Sequence, residues 1–190
     1  MYLFFDTETT GLPQFYDAPT SMLNNWPRMV QIAWMTFDKD GNQITSEAHI
    51  IKPEGYTIPD EAAKIHGITT ERAELEGKLL KKILEIFSKA VNESQIIVAH
   101  NIKFDEKIVG AEFIRKEVKN SLEEKEKVCT MLSSTNYCQI LSEYGNKWPK
   151  LTELYLKLFG EKFEDEHDAR ADVTACARCF FEMKKLQIIN

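Results

Sequence analysis

The sequence predicts an α/β fold with a mixed central sheet, and three features carry that expectation. Runs of strand-type residues cluster ahead of the first long helical pattern, a short wholly apolar run lies between two helical stretches, and the chain closes on helical periodicity.

Residues 2–6 read as a buried strand and 29–37 (Met-Val-Gln-Ile-Ala-Trp-Met-Thr-Phe) as a second. Residues 43–52 read as a third, joined to the second by the turn signal Asp38-Lys39-Asp40-Gly41. That connection is too short for a crossover helix, so the three strands form an antiparallel meander. The stretch 53–76 holds prolines, glycines and short helical pieces. From Leu79 the pattern turns helical, with Leu79, Leu80, Ile83, Ile86, Phe87 and Ala90 on one apolar face. Ile96-Ile97-Val98-Ala99 is apolar throughout, as a parallel strand buried on both faces should be. Asn101 is suited to cap the next helix, which carries Phe104, Ile108, Ala111 and Phe113 to about Lys116. Residues 119–127 are mostly charged and read as a solvated loop or helix face. Residues 151–159 and 168–186 read as two further helices.

At 190 residues the chain is long enough for one compact domain and short for two, so a single domain over 1–190 is expected. No apolar run reaches the roughly 20 residues of a membrane span. The short apolar N-terminal run ends at Asp6 with no basic residues before it, which argues against a secretory leader. Cys129, Cys138, Cys176 and Cys179 lack the spacing of a disulfide framework. Cys176 and Cys179 form a CxxC inside a helical pattern, but nothing completes a tetrahedral zinc set, and buried free thiols are the better reading. These features predict a cytoplasmic protein with no membrane partner. The net charge of −6 disfavours a protein that tracks a long run of phosphates. It weighs less against an enzyme that grips only a strand end, where divalent cations invert the local field.

Asp6 and Glu8 stand two residues apart in Phe4-Phe5-Asp6-Thr7-Glu8, so in a strand they share a face. Like charges that close raise each other's pKa unless a cation intervenes, and a divalent ion with oxygen ligands is one resolution. A charged strand end facing water is the other. Asp172 lies on or beside the stripe formed by Ala169, Val173, Cys176, Phe180 and Met183. A carboxylate there needs a cation, either a metal or Arg170 or Arg178 reaching round the helix. Asp105 falls one helical turn after the apolar run 96–99, where open α/β sheets bind ligands, although the helix dipole alone also favours an acid there. His167 lies in the loop just before the last helix, where it can meet Asp172 over one site, although a lone loop histidine is more often merely solvated than catalytic.

Taken together, Asp6-x-Glu8, His100-Asn101-x-x-Phe104-Asp105 and His167-x4-Asp172 resemble the DnaQ-like exonucleases of the DEDDh type. That family includes the proofreading subunits and domains of bacterial DNA polymerase III, oligoribonucleases and RNase T. Val30-Gln31-Ile32-Ala33 and Ile65-His66-Gly67-Ile68-Thr69 match further family elements, all in the family's order, and the likeness covers almost the whole chain. It implies an RNase H-like three-layer fold and two divalent ions, Mg²⁺ or Mn²⁺. It implies Asp6, Glu8, Asp105 and Asp172 as ligands and His167 as general base. Thr7, Leu12, His66, Asn101 and Phe104 match positions that line the terminal nucleotide in relatives. The implied reaction is 3′–5′ release of nucleoside 5′-monophosphates from single-stranded ends, DNA favoured over RNA, with a polymerase subunit as a candidate partner. An exoribonuclease is the alternative within the nucleases, and a non-catalytic nucleic-acid-binding module the alternative outside them. Two departures stand out: the 13–27 segment is longer than in the shorter relatives, and Cys129-Thr130 replaces the common Asp-Thr.

Overall fold

The computed structural model describes residues 1–164 and 166–189. Its sheet is built from β1 (Tyr2–Thr9), β2 (Met29–Phe37), β3 (Gln43–Ile50), β4 (Ile96–Ala99) and β5 (Glu126–Cys129). The strand order is β3-β2-β1-β4-β5, antiparallel from β3 to β1 and parallel from β1 to β5, so the sheet is mixed as expected.

Helices α1 (Asp60–His66) and α2 (Thr70–Glu76) follow the meander, and α3 (Leu80–Glu93) and α4 (Ile102–Lys116) flank β4 in sequence. Beyond β5 come α5 (Thr130–Cys138), a small hairpin of β6 (Leu141–Ser142) and β7 (Gly145–Asn146), α6 (Leu151–Phe159) and α7 (Ala169–Lys185). No helix among the described residues is long and apolar enough to cross a membrane.

Residue parity along β1 sets the layers. Leu3 and Phe5 point to one face and pack with Leu80, Ile83 and Phe87 of α3 and Ile108 of α4. Phe4 points to the other and packs with Ala169, Val173, Cys176 and Phe180 of α7. There Phe4 meets the rings of Phe37 and Phe180, each with centroids at 5.2 Å. Truncating such a ring to alanine costs about 3–5 kcal/mol. The result is three layers, with the sheet between α3/α4 and α7.

Four expectations need correction. The stretch 119–127 is not simply a solvated face: Leu122 is buried, and Glu126 begins β5, paired in register with Ile96 of β4. Leu79 and Ile86 stay exposed, and Leu84 and Val91 complete the buried stripe of α3 instead. Asn101 stands at the N-cap position with φ +67° and makes no side-chain capping bond. The third strand ends at Ile50, and Ile51 bridges to Lys78. Cys176 and Cys179 are buried free thiols as expected, Cys138 is buried too, and Cys129 is half-buried.

Candidate active site

The alternation that sends Phe4 toward α7 sends Asp6 and Glu8 the same way, opposite Ala33 and Gln31 of β2. Asp172 arrives on the first turn of α7, which packs on that face. Thr7, on the opposite parity, reaches Asp105 in the first turn of α4. The site therefore sits at the carboxyl ends of β1 and β4, where the strands stop and α4 begins.

Four carboxylates meet here, and among the described residues no protein cation pairs with them. Burial pushes Asp6 well above the usual carboxylate range, and the charges of Asp105, Asp172 and Glu8 push it further. Glu8 is raised to about 8 by burial, then by Asp172 and Asp105. Asp105, 3% exposed, is raised to about 7 by burial although Thr7 pulls it down with two hydrogen bonds. Asp172 is raised to about 7 by burial, against the pull of the His167 N–H that it accepts at 3.1 Å. None of the four takes part in an ion pair among the described residues. Arg178, one candidate partner for Asp172, instead stacks over Tyr155 and Phe159.

His167 has φ +68°, an unfavourable conformation for a non-glycine residue that its surroundings must maintain. Ligand atoms of Glu8, His167 and Asp172 lie within 4.8 Å of one another, close enough to share one metal ion. Hard oxygen donors, an adjacent imidazole and uncompensated negative charge suit a divalent cation, and an ion there would restore the carboxylates to their charged form.

Beside Glu8 opens a cleft of about 480 Å³ lined by Thr7, Thr10, Leu12, Ile65, His66 and Phe104 among others. Leu12, Thr7, His66 and Phe104 are thus brought together, while Asn101 lies outside this lining. The hydroxyl of Thr7 is committed to Asp105. His66 Nδ1 accepts the Ile68 N–H at 3.2 Å, which leaves the proton on Nε2. That buried atom has no well-formed hydrogen bond among the described residues, the Thr9 backbone being the group nearest to serving as its acceptor. Burial lowers the pKa of His66, which favours the neutral ring. Next to Asn101, His100 is lowered to about 4 by burial and joins Thr130 Oγ1 at 3.0 Å to the Pro149 carbonyl at 2.9 Å.

One participant carried no role in the sequence reading. Gln31 donates from Nε2 to Asp168 Oδ2 at 3.2 Å and accepts the Ala169 N–H on Oε1 at 3.0 Å. Asp168 in turn caps α7, its Oδ1 accepting the N–H groups of Arg170 and Ala171. Gln31 thereby fixes the junction between His167 and Asp172. The signal was available: an amide in a strand apolar on both faces must find partners inside the fold.

Comparison with known proteins agrees with this architecture. The DNA polymerase III PolC-type protein of Streptococcus pneumoniae is 27% identical over 184 residues, covering 95% of this chain and 11% of that protein. Its counterpart from Mycoplasmopsis pulmonis is 30% identical over 157 residues, covering 83% of this chain and 10% of that protein. The chain thus spans about a tenth of the length of these relatives. E. coli exonuclease I in complex with a dA16 oligonucleotide superposes with a TM-score of 0.78 at 22% identity, over 98% of this chain and 41% of that one. A zinc-bound form of the same enzyme with single-stranded DNA gives 0.76 at 21% identity, over 98% of this chain and 40% of that one. The fold is RNase H-like. Residues 3–180 match the model of the RNase_T exonucleases, and the chain belongs to that family of 3′–5′ exonucleases.

Proposed function

We propose that residues 1–190 act as one unit that removes nucleoside 5′-monophosphates from the 3′ end of an unpaired strand in the cytoplasm, with DNA preferred. The observation that carries this reading is the uncompensated cluster of Asp6, Glu8, Asp105 and Asp172 beside His167, at the mouth of a nucleotide-sized cleft. The four carboxylates would hold two ions, Mg²⁺ or Mn²⁺. Bound there, such ions supply Lewis acidity toward a water and toward the scissile phosphate.

The remaining work falls to the protein. His167 takes the proton of the attacking water, a role suited to an imidazole near neutral pH. Asp172 accepts the His167 N–H and holds its backbone against the metal site. Phe104 and Leu12 grip the terminal base through its faces, which read no sequence. The Nε2–H of His66 offers a donor to the sugar or its phosphate. Asn101, on the turn that launches α4, contacts the strand from beyond the cleft.

Support for DNA comes from the relatives: the first are polymerases, and exonuclease I was crystallised with deoxyoligonucleotides. The correspondence of this chain to a small part of PolC-type polymerases also supports a polymerase as its partner.

The test is side-by-side digestion of 5′-labelled DNA and RNA oligomers, single-stranded and with a mismatched 3′ end, in Mg²⁺ and in Mn²⁺. The expected result is a ladder shortening from the 3′ end, with DNA degraded faster. Intact oligomers under both ions at neutral and alkaline pH would refute the enzyme reading. Faster loss of RNA would transfer the assignment to an exoribonuclease.

A further inference from the structure

The segment between β1 and β2 is held rigid by polar groups outside the acid cluster. Its base closes where Thr10 N–H donates to the Arg28 carbonyl and Arg28 N–H to Thr10 Oγ1, each at 2.9 Å. Asn25, 5% exposed, applies both ends of its amide to the backbone of Phe15, accepting its N–H at 2.8 Å and donating to its carbonyl at 2.9 Å. The Arg115 guanidinium donates to the carbonyls of Leu23 and Trp26, and the Trp26 indole to that of Pro19. Asp17 meets Lys103 at 2.6 Å.

A backbone fixed this firmly nevertheless turns large apolar side chains outward: Leu12, Phe15 and Tyr16 are 73%, 66% and 52% exposed. Leu12 and Phe104 line the cleft, and Asp17 is tied to Lys103, the neighbour of Phe104. Phe15 and Tyr16 belong to the four-residue link that joins Leu12, which lines the cleft, to Asp17, which is paired with the neighbour of Phe104.

We propose that Phe15 and Tyr16 form a stacking ledge for the unpaired nucleotides upstream of the terminal one. This rests on the exonuclease reading of the cleft and extends it along the strand. Charge favours that occupant being held by its bases: a chain of net charge −6 is poorly equipped to grip phosphates, whereas aromatic faces stack on any base without positive charge. A pre-fixed backbone lets the rings bind without first losing loop entropy.

The test compares the Phe15→Ala/Tyr16→Ala double variant with the wild type on a deoxydinucleotide and on a longer single strand. The expected result is a rise in KM of about 10-fold for the longer strand and no change for the dinucleotide. The conservative Phe15→Tyr/Tyr16→Phe pair should restore the longer strand's KM. 2-Aminopurine set upstream of the 3′ end should lose its quenching in the alanine variant only. An unchanged KM for the longer strand overturns the ledge and leaves the two rings to another occupant, such as a protein partner. Equal losses on both substrates also overturn it, since the loop would then only support the cleft. A wild type that degrades neither substrate refutes the exonuclease reading itself, a different outcome from either.

Discussion

Thr7 donates two hydrogen bonds to one oxygen of Asp105, from its hydroxyl at 2.7 Å and from its backbone N–H at 3.1 Å. The pair fastens β1 to the first turn of α4 and opposes the burial that raises Asp105 to about 7. Thr7→Val keeps the shape and the N–H bond but removes the hydroxyl. A hydrogen bond to a charged group contributes about 1.5–3 kcal/mol, so the Asp105 pKa should rise by about one unit or more. At pH 7 the variant should need more divalent ion for half-maximal activity than the wild type, and the two should converge near pH 9. Metal titrations at both pH values check this, and identical curves at pH 7 would reduce Thr7 to packing.

The acid cluster also sets how stability varies with pH when no metal is bound. Glu8 at about 8, and Asp105 and Asp172 at about 7, all lie above the ordinary carboxylate range near 4. Between those limits the folded chain binds more protons than the unfolded one, so stability falls as pH rises from about 4 to about 8. Allowing for mutual coupling and partial solvent access, the loss is on the order of 2 kcal/mol, or ~4–8 °C in Tm for a chain of this size. Thermal unfolding in chelator should show that decline, and added Mn²⁺ should raise Tm far more at pH 8 than at pH 5.5. A metal-free Tm that climbs over this range would contradict the clustering.

Much of this site was legible because strand parity and helical spacing are rigid rules. Asp6 and Glu8 had to share a face, and Asp172 had to accompany Val173 and Cys176 toward the sheet. β5 was not legible, because Glu126-Lys127-Val128-Cys129 has too little apolar pattern, and its strand character comes from pairing with β4 at the sheet edge. The conformation of Asn101 was hidden for a related reason. Its αL backbone belongs to the turn between β4 and α4, which residue preference alone renders as an ordinary cap. The cleft joins residues from β1, α1 and α4, a convergence set by the packing of those elements.

Gln31 gives a sharper test of how the junction before α7 is held. Gln31→Leu fills similar space but leaves the Ala169 N–H and one oxygen of Asp168 without their partner. An unsatisfied buried polar group costs about 1–3 kcal/mol, so Tm should drop by several degrees. The larger consequence should fall on kcat, by about 10-fold, because His167 and Asp172 flank the loosened junction. KM should change little, because Gln31 is absent from the cleft lining. Steady-state kinetics on a single strand separates the two, and a loss confined to KM would remove Gln31 from the positioning of the catalytic end.

Asp172 distinguishes a metal ligand from a structural acid most directly. Asp172→Asn retains an oxygen to accept the His167 N–H but removes the negative charge that raises Asp6, Glu8 and Asp105. If Asp172 serves chemistry, turnover should vanish while the metal-free protein becomes more stable at pH 8, where repulsion is greatest. If it serves structure, the same change should lower Tm and leave measurable activity. His167→Ala provides the complement: turnover should slow by roughly 10²–10⁴-fold, the range for loss of a general base. The Mn²⁺-induced rise in Tm should persist there, because the four carboxylates remain, whereas Asp172→Asn should diminish it. Equal loss of the Mn²⁺ effect in both variants would make His167 a ligand instead of a base.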